Sequence, residues 1–225
     1  AQGDLGALPA VLGVMLVAAW LGLLLPSEPP AKGRRAGGMM SLLRNRRFLA
    51  VLLASALLQS SHALLYGFAS LHWRAAGLGE GMIGALWTLG VLAEIVLFAG
   101  GPRLIRILGP RGLLLLGGAG GLIRWPLLAV TTDPLLLVPA QALHALTFGA
   151  SHLGAMHLIA LHAPPSLAST AQTLNAAVTG GIAMGGALYT AGWLFERLGG
   201  DAFYLMTFLS LSGLLVAAAF VQERR

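Results

Sequence analysis

Seven stretches of this chain are apolar for about the 20 residues that a helix needs to cross a bilayer core. They are Leu5–Leu25, Phe48–Leu71, Met82–Gly100, Gly112–Val130, Pro134–Leu158, Ala168–Phe195 and Ala202–Val221. A membrane β-barrel would instead alternate apolar and polar residues over strands of about ten. Runs such as Val51–Leu58 and Leu113–Leu116 do not alternate. Of the 225 residues, 57% are hydrophobic and only 10% charged. That is too little charge to coat a soluble surface of this size. A soluble domain, a disordered chain and a nucleic-acid binder are thereby excluded. The expected fold is an all-α polytopic membrane protein of about seven transmembrane helices, with the lipid bilayer as its surroundings. With no cysteine in the chain, disulfides, Cys-ligated zinc and thiol catalysis are excluded too.

Orientation follows from Lys and Arg in the short connections. Lys32, Arg34, Arg35, Arg44, Arg46 and Arg47 follow the first window, and Arg103, Arg106 and Arg111 follow the third. Sorting all connections alternately puts eleven basic residues on one side and two on the other, with Arg124 inside a helix. The long Pro26–Arg47 connection and the C terminus are therefore expected in the cytoplasm. Pro26, Pro29, Pro30, Gly33, Gly37 and Gly38 break helicity there, and its basic cluster suits anionic headgroups. The first window lacks the basic n-region of a signal peptide, following Asp4 instead. One helix before this connection and six after it suggest part of a twelve-helix, six-plus-six protein. On that expectation residues 1–25 are the last helix of an N-terminal bundle that is otherwise missing. Residues 26–47 are the inter-bundle loop, and 48–225 the C-terminal six-helix bundle.

An ionisable side chain at bilayer depth is costly and marks a functional site by default. Glu94 lies well inside the third window and Arg124 inside the fourth. A carboxyl that gains and loses its proton as its partner changes is what proton coupling requires; the plainer alternative is an ion pair that docks helices. Arg124 is a permanent charge that can balance Glu94 or fork onto a substrate carboxylate, or else snorkel to the outer interface beside Trp125. Gln141, His144 and His152 fall within roughly 80° on an ideal helix, with Thr147 and Phe148 beside them. Gln59, His62 and Tyr66 share a face of the second window, and Gln172 and Asn175 mark the sixth. These can line a cavity or simply bond helix to helix. No two His stand at i,i+4, which disfavours a metal site, and no cofactor is implied. The chain has no G-x-S-x-G, H-E-x-x-H or paired intramembrane carboxylates, so an enzyme is not expected. Gly180–Gly186 lacks the Gly-Lys-Ser/Thr ending of a phosphate loop.

Read with their neighbours, these positions resemble a known family. Gln59-Ser60-Ser61-His62-Ala63, Tyr66-Gly67-Phe68 and Trp73-Arg74-Ala75-Ala76-Gly77 are similar to helix seven and the following loop of the 3-phenylpropionic acid transporter group. Gly84 through Glu94, Ile123-Arg124-Trp125 and Gln141-Ala142-Leu143-His144 extend the likeness. This group is a branch of the major facilitator superfamily, near the lactose permease and nucleoside proton symporters. The resemblance implies helices six to twelve of a secondary transporter in a bacterial inner (plasma) membrane, its driving force a proton gradient. It further implies a small organic, aromatic acid as substrate. A nucleoside or sugar, or a truncated fragment without transport, are the competing expectations. In lactose permease relatives a Glu, an Arg and a His on helices eight, nine and ten handle proton and substrate; here Glu94, Arg124 and His144 resemble them. Thr147 stands where those relatives carry a second Glu, and Ile105 where the Gly101–Arg111 loop signature carries Asp. The remaining polar residues, Gln59, His62, Tyr66, Gln141, His152 and Asn175, are the expected substrate contacts or charge partners.

Overall fold

The Asn45 side chain starts the bundle. Its carbonyl oxygen accepts the Arg47 and Phe48 N–H groups at 3.0 and 3.3 Å, capping α2 (Arg46–Ser60) just after the short α1 (Gly38–Arg44). The computed structural model describes residues 38–223, together with Gly13, Leu16, Val17 and Trp20, which are helical. The expected helix in residues 1–25, and the 26–47 connection before residue 38, otherwise lie outside the described residues. The bundle forms a unit of its own from Ala36 onward.

Local chemistry explains where each rod breaks. α2 stops at Ser60 because the Ser60 and Ser61 hydroxyls bond back to the Ala56 and Leu58 carbonyls at 2.6 and 2.7 Å. Such back-bonding competes with the helical ladder. His62 thus sits in a turn before α3 (Ala63–Ala75), so Gln59, His62 and Tyr66 do not share one unbroken helix. Paired bonds from Arg74 to Glu80, at 2.6 and 3.1 Å, brace the turn into α4 (Glu80–Ala99). Only Gly100 separates α4 from α5 (Gly101–Val130). The Gly101–Arg111 segment, expected as a loop, is therefore helical except for a kink at Gly109. Glycine adopts the positive φ there (67°), and Pro110 is at home in the first turn that follows.

α6 (Pro134–Ala142) is capped by Asp133 and interrupted at Leu143. A π-helical stretch, Ala145–Ala150, joins it to α7 (Ser151–His162). After the Pro165–Leu167 turn, α8 (Ala168–Ala176) runs through a second π stretch, Ala177–Ala183, into α9 (Met184–Leu198). The Gly199–Ala202 turn then leads to α10 (Phe203–Phe220). Every regular element among the described residues is helical. Four runs are long and apolar enough to cross a membrane: Arg46–Ala75, Glu80–Ala99, Gly101–Val130 and Pro165–Phe220. The last folds back at Gly199–Ala202, and the interrupted α6–α7 rod runs from one hydrophobic core to the other.

α5 is the hub, packed on both α10 and α7, while α2 lies against α10 and α7. Gly154 of α7 allows a close approach to the α5 backbone, since a Cβ there would stand 2.5 Å from the Pro110 carbonyl oxygen. One core gathers Leu64, Trp73, Trp125 and Phe203 at one end of the bundle; another gathers Phe48, Val51, Leu158 and Ile159 at the other. α4 leaves Val91, Leu92, Ile95 and Val96 exposed, a face suited to lipid.

Candidate functional site

Between the two cores the interior is polar. Arg124 of α5 is fully buried, so it does not snorkel. Its Nε donates to the Ala140 carbonyl (2.8 Å), and Nη2 donates to Gln141 Oε1 (2.6 Å). Its Nη1 donates to both His144 Nδ1 and Thr147 Oγ1, each at 2.8 Å. The guanidinium also lies 4.7 Å from the Trp125 ring centre, and that indole donates to Ser210 Oγ of α10 (2.8 Å). A buried cation is tolerated only with such extensive pairing.

The bonds to Arg124 decide the state of His144. Guanidinium only donates, so Nδ1 accepts and the imidazole hydrogen sits on Nε2. That N–H faces Glu94 Oε1 of α4 at 2.7 Å. His144 therefore stands between Glu94 and Arg124. Glu94 keeps 16% of its side chain exposed, whereas Arg124 has none.

A second arm leaves Arg124 through Thr147. His62 Nδ1 faces the Gln59 carbonyl at 3.2 Å and so donates; Nε2 faces Thr147 Oγ1 at 3.0 Å and so accepts. The Thr147 hydroxyl accepts from Arg124 and donates to His62. Donation thus runs outward from Arg124 along two arms, through His144 to Glu94 and through Thr147 to His62, and together they form one connected chain. Gln59 continues it sideways, donating to Ser151 Oγ at 3.1 Å, and Gln141 reaches the Leu86 carbonyl of α4 at 3.4 Å.

The chain's edge faces a concavity of about 290 Å³. Gln59, Tyr66, Phe148, His152, Gln172 and Asn175 are among the residues that line it. The π turn stacks Phe148 between two imidazoles: its ring lies 5.5 Å from His144 and 5.7 Å from His152, the latter pair parallel within 1°. Tyr66 stacks on His62 at 5.7 Å and on Trp87 at 6.2 Å. All nine residues expected from sequence thus lie in the chain or the concavity: Glu94, His144, Arg124, Gln59, His62, Tyr66, Gln141, His152 and Asn175. Sequence reasoning set Thr147 beside the polar stripe without making it a site residue, and gave Ser151 and Ser210 no role. A hydroxyl one turn after His144 was the available signal for Thr147, while Ser151 and Ser210 are ordinary helix residues until their partners are known.

A family model described as the MFS_1 like family matches residues 11–206. The chain belongs to that family. It is also similar to the "Probable 3-phenylpropionic acid transporter" of Escherichia coli (strain K12), being 35% identical over 182 residues. The alignment covers 79% of this chain and 46% of that relative, so the chain spans about half the length of the curated relative it matches. Membership in the MFS_1 like family, together with the long apolar helices, makes this a multi-pass membrane protein.

Proposed function

We propose that the full-length protein imports a small aromatic acid together with a proton, by alternating access, across a bacterial inner membrane. The observation that carries this reading is the buried Glu94–His144–Arg124 chain, connected through Thr147 and His62 to Gln59 at the wall of a concavity. Ionised Glu94 balances Arg124 through the His144 imidazole and repels an incoming carboxylate. Protonated Glu94 no longer does either, which leaves the net positive charge of the buried Arg124 uncompensated behind the wall. An organic anion is then favoured in the cavity only when a proton is present, and the two travel together. The other cavity wall belongs to the N-terminal bundle, against which this bundle rocks. A concavity of about 290 Å³ falls just below the range of complete small-molecule sites, about 300–1,000 Å³, as half a site should. The basic bias of the connections supports a cytoplasmic C terminus in this reading.

The test is uptake of labelled 3-phenylpropionate by cells expressing the full-length gene, with and without a protonophore. Uptake that the protonophore abolishes supports the reading. Protonophore-insensitive uptake rejects the proton, and uptake of a nucleoside or sugar instead rejects the aromatic acid.

A further inference from the structure

Asn175 is the one residue of the concavity wall whose buried side chain is left incomplete. It sits near the end of α8, just before the second π stretch, and keeps only 4% of its surface exposed. Its Oδ1 is buried with no hydrogen-bond partner. Leaving such an acceptor unmatched costs about as much as a lost hydrogen bond, so a position of this kind calls for a donor. Nearby hydroxyls do not supply one: Thr179 donates instead to the Asn175 backbone carbonyl at 2.8 Å. Across the same concavity stand Tyr66 and the parallel Phe148–His152 pair, with Met156 and Met184 among the other walls. This is an aromatic and thioether slot for a flat ring, with a lone acceptor at one side.

The charge distribution orients what enters. Neither Lys nor Arg lines the concavity among the described residues, and Arg124 spends four of its five N–H groups on Ala140, His144, Thr147 and Gln141. The carboxylate of an aromatic acid meets no permanent cation on this wall, whereas its ring does meet a matching slot. Resting on the aromatic-acid reading above, we infer that this half of the protein holds the aryl end of the substrate, and that Asn175 Oδ1 accepts a hydrogen bond from a ring hydroxyl. The acid end then points toward the N-terminal bundle. The preferred substrate class is an aryl carboxylic acid that carries a hydroxyl on its ring.

A site built to pair a polar group discriminates against a ligand lacking it far better than an apolar pocket discriminates by size. The experiment uses the full-length protein and two labelled probes, 3-phenylpropionate and its ring-hydroxylated analogue 3-(4-hydroxyphenyl)propionate. It reads the ratio of their uptake efficiencies (Vmax/KM), which does not depend on how much protein reaches the membrane. The wild type is expected to favour the hydroxylated acid by about tenfold. In Asn175→Leu the ratio should fall to near one, and in Asn175→Ser, which retains an acceptor oxygen, it should lie between. A wild-type ratio near one overturns the inference without any variant, as does an undiminished preference in Asn175→Leu. Proton-driven uptake of both acids with equal efficiency overturns the role of Asn175 and leaves the transport reading intact. Uptake of neither acid overturns both.

Discussion

The Nε2 atom of His144 lies 2.7 Å from Oε1 of Glu94. Its other ring nitrogen accepts from Arg124 at 2.8 Å, so the ring carries its hydrogen on the side of the carboxylate. The acid and the guanidinium of this bundle therefore communicate through an imidazole. A change at the partly exposed Glu94 reaches the fully buried Arg124 through the hydrogen bonds of His144.

Arg124→Lys is expected to fail although it keeps the charge. An ammonium has three donors around a point, and cannot serve the Ala140 carbonyl, Gln141, His144 and Thr147 together. Breaking a buried charge network of this kind costs about 3–5 kcal/mol. The melting temperature of the purified full-length variant should drop, and uptake should fall by at least about tenfold. Wild-type melting and kinetics in the Lys variant would mean that the fork geometry is idle.

Thr147→Val and Thr147→Ser separate shape from hydroxyl. Val keeps the volume but leaves one Arg124 N–H and His62 Nε2 without their shared partner, at a cost of about 1–3 kcal/mol. Ser restores the hydroxyl and should recover most of the loss. Thermal unfolding of both variants checks this, and equal stability of Val and wild type would remove Thr147 from the chain.

Gly154→Ala tests the hub. The added Cβ would meet the Pro110 carbonyl at 2.5 Å and the Leu114 amide at 3.0 Å, both of them backbone atoms that cannot swing aside. Overpacking of this sort costs about 1–3 kcal/mol. Gly180→Ala, where nothing lies within 4 Å, is the matched control and should melt like the wild type. Equal melting of the two variants would show that α5 and α7 are not in tight register.

The sequence made the rods and the charged residues legible for one reason: a charge inside an apolar window is conspicuous. Glu94, Arg124 and the His-bearing helix stand out on that ground. Their order in space does not, because periodicity on an ideal helix cannot register the turn at Ser61–His62 or the π stretch at Ala145–Ala150. Those two irregularities bring His62 to Thr147 and stack Phe148 between His144 and His152. Gly101–Leu108 misled for a related reason, since Gly, Pro and Arg read as a loop although only Gly109 departs from helical geometry.

Replacing Glu94 by Gln tests proton coupling most directly, because Gln can still meet His144 but can neither release nor take up a proton. The measurement is accumulation of labelled 3-phenylpropionate in vesicles of the full-length protein under an imposed proton gradient, beside exchange of internal for external substrate with no gradient. In Glu94→Gln, accumulation should fall to the level of empty vesicles while exchange persists. Normal gradient-driven accumulation in that variant would contradict the account.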